Sequence, residues 1–154
     1  MKNQVSYPLP SFRFGVKLPG ILSSTNAAFI EASGFGAEMQ VEEVVSGGHN
    51  GWSYKLPNPT RYQNLVLKNG MIEKDSPLIK WCMETLLYGA DNGITTKKMT
   101  VNLLDANSKA VKSWLFEGAY PVKYLASELK STENQVALET VEFAYKFFTT
   151  KELS

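Results

Sequence analysis

The chain of 154 residues has one cysteine, Cys82, and one histidine, His49. A lone cysteine excludes an intrachain disulfide and any thiolate cluster, and a lone histidine excludes paired-histidine metal sites and multi-histidine relays. Long apolar runs are missing as well, and no segment approaches the ~20 residues that a membrane-spanning helix needs. The opening M-K-N-Q-V-S-Y-P-L-P lacks the apolar centre of a secretory signal, so a protein made in the cytosol, with no membrane insertion of its own, is expected. Charge of one sign is equally scarce. Sixteen basic and fifteen acidic residues leave a formal charge of +1, and Lys97-Lys98 is the only adjacent basic pair. Such a balance carries no electrostatic footprint for nucleic acid or an anionic membrane.

The residues that remain give chemistry little to work with. His49 lies in G-G-H-N-G near Ser46 and Ser53, but no strained G-x-S-x-G turn presents a nucleophile. Glu42 and Glu43 are neighbours on a strand-like run, so they point to opposite faces and cannot converge on one substrate. Glu139 and Glu142 read as solvated or intersubunit groups. No phosphate-cradling glycine loop precedes a helix. Cys82, in L-I-K-W-C-M, reads as a buried, inert thiol. Trp81 and Trp114 fall inside a helix and a strand, where packing suits them better than a sugar platform. No enzyme, metal or cofactor is expected; the residues favour a structural or interaction protein.

Periodicity predicts one mainly β domain over 1–154. Residues 1–10, with Pro8 and Pro10, read as a flexible arm. Phe12, Phe14, Val16 and Leu18 alternate with polar neighbours as a half-buried strand, and a second strand covers Ala27 to Ser33. Phe35 to Val45 alternates as a strand with a wet face carrying Glu38, Gln40 and Glu42. A strand resumes over Tyr62 to Lys68. Ser76 caps a helix running to Tyr88, with Pro77 at its first position and Gly89 as its left-handed end. Leu78, Ile79, Cys82, Met83, Leu86 and Leu87 supply its apolar face. D-A-N-S, Asp105 to Ser108, joins Lys98–Leu104 and Ala110–Glu117 as a hairpin. Tyr120 to Leu125 forms a further strand, a polar loop spans Ser127 to Asn134, and a last strand covers Val136 to Phe148. The sum is an antiparallel β-barrel or sandwich with one flanking helix.

Between the strands lies a long Gly- and Pro-bearing excursion, Ser46 to Thr60, that still carries Trp52, Tyr54 and Leu56. Connections of that length in compact domains are usually functional or disordered, and aromatics argue against disorder. Such side chains need something to be buried against, and another subunit would serve.

The order of motifs resembles the tube protein family of contractile phage tails and related injection systems. V-E-E-V-V-S-G-G-H-N-G leads into K-L-P-N-P-T-R-Y-Q-N-L-V-L-K-N-G, then the helix, V-N-L-L-D-A-N, W-L-F-E-G-A-Y-P-V-K-Y and S-T-E-N-Q-V-A-L-E-T-V-E-F-A-Y. The resemblance covers roughly residues 11–148; Asn58-Pro59 stands where the family commonly has a glycine. It implies a barrel-like protomer, six to a ring, with rings stacked into a hollow tube. Its partners would be a surrounding sheath, a baseplate hub or spike, and DNA or protein cargo in the lumen of a virion or extracellular particle. On that footing the ring-stacking contact falls to Gly47, Gly48, His49, Asn50, Gly51, Trp52, Tyr54 and Leu56. Glu38, Gln40, Glu42, Thr140, Glu142 and Lys146 would face the lumen. The alternatives are a tube initiator, a secretion-system ring protein forming single hexamers, and a small carbohydrate-binding β-barrel.

Overall fold

The computed structural model describes residues 12–20, 27–45, 47, 51–72, 75–126 and 138–153. The expected arm at 1–10 and the polar loop at 127–134 lie outside them. Six antiparallel strands close into a barrel: β1 (Arg13–Lys17), β2 (Ala27–Ser33), β5 (Leu65–Ile72), β6 (Lys97–Leu104), β7 (Ala110–Ala126) and β8 (Glu139–Ala144). Their order is β6-β1-β2-β5-β8-β7, and a β6–β7 pairing returns the sheet to its start. Two further strands, β3 (Ala37–Val44) and β4 (Tyr54–Tyr62), form a separate ribbon, and β9 (Phe147–Glu152) lies along β7. Closure leaves few unpaired strand edges, which suits a fold built from short β segments.

Period-two patterning fills the barrel. Val16 from β1 and Leu18 just after it, Phe29 from β2, Leu65 and Leu67 from β5, Met99 and Val101 from β6, and Phe116 from β7 are all buried. Val141 and Phe143 of β8 complete the same core. Phe12, expected on that inner face, is half exposed just before β1 begins. The hairpin at Asp105 forms as its turn chemistry predicts. Asp105 Oδ1 accepts from the backbone N–H of Asn107 and of Lys109, both at 2.9 Å.

Three local readings are corrected. Ala110–Glu117 and Tyr120–Leu125 are one strand of 17 residues, not two. Gly118, at φ +64°, takes up the irregularity as a bulge, where Lys97 pairs with Ala119 but Met99 with Phe116. The last strand breaks at Tyr145-Lys146, so β8 and β9 follow one another along β7 with their faces exchanged. After the break Phe148, not Phe147, packs on the core.

The third correction concerns the helix, α1 (Pro77–Asn92), which runs past Gly89. Ser76 caps it as expected, its hydroxyl accepting from the Leu78 N–H at 3.3 Å. Gly93, at φ +82°, ends it and donates its N–H to the Gly89 carbonyl at 3.0 Å. Gly89 instead packs closely under the chain that follows, since a Cβ there would sit 3.3 Å from Ile94 Cγ1 and press that side chain aside by a few tenths of an ångström. The buried face is Leu78, Trp81, Cys82 and Gly89. Trp81 sets that rotation: its ring lies 5.7 Å from Phe143, and its Nε1–H donates to the Thr95 carbonyl at 2.9 Å. Leu86 and Leu87, assigned to the buried face by spacing alone, are exposed.

Candidate assembly surface

Of the stretch expected as a loop from Ser46 to Thr60, Tyr54 to Thr60 is strand. β3 and β4 pair antiparallel from Ala37↔Tyr62 to Val44↔Tyr54, and of their residues only Tyr62 is less than exposed. Pro57 and Pro59 disguise β4 in the sequence, because a proline cannot donate to a ladder. An outlying two-stranded ribbon tolerates them: between Met39↔Thr60 and Val41↔Pro57 the register slips, so that Asn58-Pro59 forms a bulge. This bulge occupies the position where the sequence departs from the expected glycine.

The ribbon continues β2 and β5 past two bends. Gly34, at φ +94°, turns the first strand away, and the Gln63 N–H donates to the Gly36 carbonyl at 3.3 Å. Aromatic rings clamp this root to the barrel. Phe35 lies 4.5 Å from Trp114, and Tyr62 lies 5.9 Å from Tyr145 and 5.5 Å from Phe148. Tyr145 also donates its hydroxyl to the Gly34 carbonyl at 3.3 Å. Beyond the root the ribbon does not fold back onto the barrel, since its residues are exposed on both faces.

Directly opposed residues of a ribbon share a face. Glu38↔Arg61, Glu42↔Leu56 and Val44↔Tyr54 therefore lie together, with Gln40 between the first two. Trp52 joins them, its ring edge-on to Tyr54 at 4.8 Å. The structure thus brings Glu38, Gln40 and Glu42 onto the same face as Tyr54 and Leu56: polar at the root, apolar towards the tip. Gly47 and Gly51 are exposed, with nothing within 4 Å of a Cβ at either. Gly48, His49 and Asn50 lie outside the described residues. The opposite ribbon face carries Met39 and Val41, each about half exposed, and the opposed pair Glu43↔Lys55.

Thr140 and Glu142 belong to another surface. They alternate with buried Val141 and Phe143, so they point outward from the barrel wall, where Glu142 pairs across to Val66 and Lys123. Lys146 shares neither surface. It sits in the β8–β9 break, its N–H donating to the Glu117 carbonyl at 2.9 Å and its stem against Gly118.

Under α1 the titratable groups are held unreactive. Tyr124 donates to Glu139 Oε1 at 2.6 Å, while Glu139 Oε2 is buried with no hydrogen-bond partner. Burial, reinforced by the nearby Glu139 charge, pushes the Cys82 thiol up to about 12. Burial and the Glu139 contacts also raise Tyr124. A thiol so displaced is no nucleophile near neutral pH. Among the described residues, no group of three or more His, Cys, Asp or Glu could hold a metal ion, and no helix is long and apolar enough to cross a membrane.

A closed barrel with a clamped ribbon, exposed at every residue but Tyr62, has the form of a structural subunit. The chain belongs to the T4-like virus tail tube protein gp19 family, whose model matches residues 10–149. It is a tail tube protein by family. No curated protein matches the chain. Among solved structures, a chain of the anti-feeding prophage baseplate, 6-fold symmetrised, is similar at TM-score 0.68 and 24% identity, over 92% of both chains. A chain of the sheath–tube complex of PVC, an extracellular contractile injection system in its extended state, matches at TM-score 0.68 and 21% identity, over 97% of this chain and 95% of that one. Hcp1 from Salmonella typhimurium matches at TM-score 0.52 and 14% identity, over 92% and 87%. These likenesses bear on the fold: a mostly β barrel with one helix.

Proposed function

We propose that this chain forms six-membered rings that stack head to tail into a hollow tube inside a contractile sheath, and that the tube conducts DNA or protein cargo. The observation that carries the reading is the β3–β4 ribbon. A strand pair exposed on both faces and armed with Val44, Tyr54 and Leu56 is unfavourable in an isolated monomer and natural in an assembly. Stacked rings use heterologous contacts, which propagate without closing. The tip, with Gly47, Gly48, His49, Asn50, Gly51, Trp52, Tyr54 and Leu56, is the ring-to-ring contact, and its aromatics are the anchors. The polar root, Glu38, Gln40 and Glu42, stays wet beside the channel, and outward Thr140 and Glu142 give the wall a polar surface past which cargo slides. Lys146, set in the strand break, leaves that lining set.

The six-fold symmetry of the similar baseplate and the sheath partner of the similar PVC chain support the ring and the sheath. The subunit is made in the cytosol and ends in a phage tail or extracellular particle, with a baseplate hub or spike at one end of the tube. Negative-stain microscopy of the purified protein tests the reading. Rings or tubes with a central channel are expected, and Trp52→Ala should leave rings but abolish stacking. Normal tubes from a folded Trp52→Ala variant would remove the tip from the contact; globular monomers at every concentration would overturn the assembly itself.

A further inference from the structure

The ribbon and α1 lie at opposite ends of β5. Its first residue, Leu65, follows the ribbon root, and its last, Ile72, leads towards Pro77. Eight residues of strand separate them, about 26 Å at ~3.3 Å per residue. The side-chain contacts agree: Tyr62 meets Tyr145 at the ribbon end, whereas Cys82 lies near Glu139, which pairs with Gly70 towards the other end. Along β8 the helix end therefore comes first and the ribbon end last.

α1 is also more apolar than a surface helix should be. Its 16 residues carry only three charges, Lys80, Glu84 and Asp91. One stripe, Leu78, Trp81, Cys82 and Gly89, is buried on the barrel. A second runs Ile79, Met83, Leu86 and Leu87, at the i, i+4, i+7, i+8 spacing of one helix face. It grows more exposed towards the C-terminus, where Leu87 is 65% and neighbouring Tyr88 57% exposed. A helix apolar on two sides normally has both covered.

We propose that this second stripe of α1 is the seat for the ribbon tip of another copy of the same chain in the next ring. The inference rests on the head-to-tail stacking proposed above and names the surface that receives the tip. Two arguments select a second copy over a foreign partner. Each end of the molecule offers an exposed apolar surface, and head-to-tail stacking brings those unlike ends together. Charge is also sparse at both: Val44 and Tyr54 lie beyond Glu42 towards the ribbon tip, and Leu86 and Leu87 lie between Glu84 and Asp91 on the helix. Because donor and seat differ, each added ring presents a fresh seat or a fresh tip.

The test uses the full chain. Leu87→Glu should leave the circular dichroism spectrum and ring formation unchanged and reduce tube length at least tenfold by microscopy. In a Leu56→Cys/Leu87→Cys variant, oxidation of tubes should give a covalent ladder extending beyond dimers on denaturing gels, while each single variant stops at dimers. Leu87→Glu rings that stack like the wild type, or oxidised tubes with no ladder, would overturn the helix seat and leave the tube standing. If the wild type never forms rings or tubes, the stacking reading falls and the seat falls with it.

Discussion

Cys82 shows how little room the interior leaves for chemistry. Its thiol would ionise at 9.0 in an exposed chain but is pushed to about 12 here, chiefly by burial. Between those values the unfolded chain gives up a proton that the folded one keeps, so folding is penalised as the pH climbs. Tyr145 adds to the effect, raised by burial from 10.0 to about 12. The stability Cys82 confers is whole below about pH 9 and is lost progressively towards pH 12, at no more than about 1.4 kcal/mol per pH unit, and the contribution of Tyr145 is lost in the same direction above about pH 10. Melting temperature should therefore hold steady around neutral pH and decline above about pH 9, with a shallower decline in Cys82→Ala. A thiol reagent should label the native protein hardly at all at neutral pH and label it fully once denatured. Rapid native labelling would mean that α1 does not seal the site.

At the scale of elements, the β3–β4 ribbon depends on its root. A Cβ on Gly34 would fall on the Asn64 carbonyl oxygen, 2.9 Å from that group's carbon and 3.3 Å from Leu65 Cα, and the φ of +94° is itself costly for any other residue. All three obstacles are backbone or covalent geometry, so no rotamer relieves them. Gly34→Ala should cost about 3 kcal/mol or more by denaturant unfolding, while Gly47→Ala, with open space around its Cβ, stays within about 0.5 kcal/mol. Legibility from the sequence follows the same physics. Ser76-Pro77 and Asp105 to Ser108 were readable because capping and turn chemistry are local. The tip aromatics were readable as a group, because Trp52 and Tyr54 are large rings in what read as a surface connection. β4 was not, because Pro57 and Pro59 speak against a strand and only the ribbon's isolation makes room for them. Nor was the buried face of α1, since Leu86 and Leu87 satisfy the helical spacing as well as Trp81 does. Only the tertiary contact with Phe143 decides between them.

For the whole molecule, the consequence is polarity. A protomer with a tip at one end and a helix seat at the other grows by heterologous contacts, so a subunit defective at one end alone should act as a cap. Tyr54→Glu with Leu56→Glu disables the tip, and both changes lie on the exposed ribbon face, away from the barrel core. Such a protein should fold with a melting temperature within a few degrees of the wild type, because exposed substitutions typically shift stability by about 0.5 kcal/mol or less. Rings made of it still offer α1 to an incoming wild-type tip. Added as preformed rings at a minor fraction, they should bind one end of a growing tube and present no tip of their own, shortening wild-type tubes in proportion to the rings added. Rings that also carry Leu87→Glu have neither tip nor seat and should leave tube length unchanged at the same dose. Length distributions from micrographs distinguish the two. Equal shortening by both would mean that growth is poisoned by something other than the seat, and no shortening by either would mean that the tip and α1 do not meet.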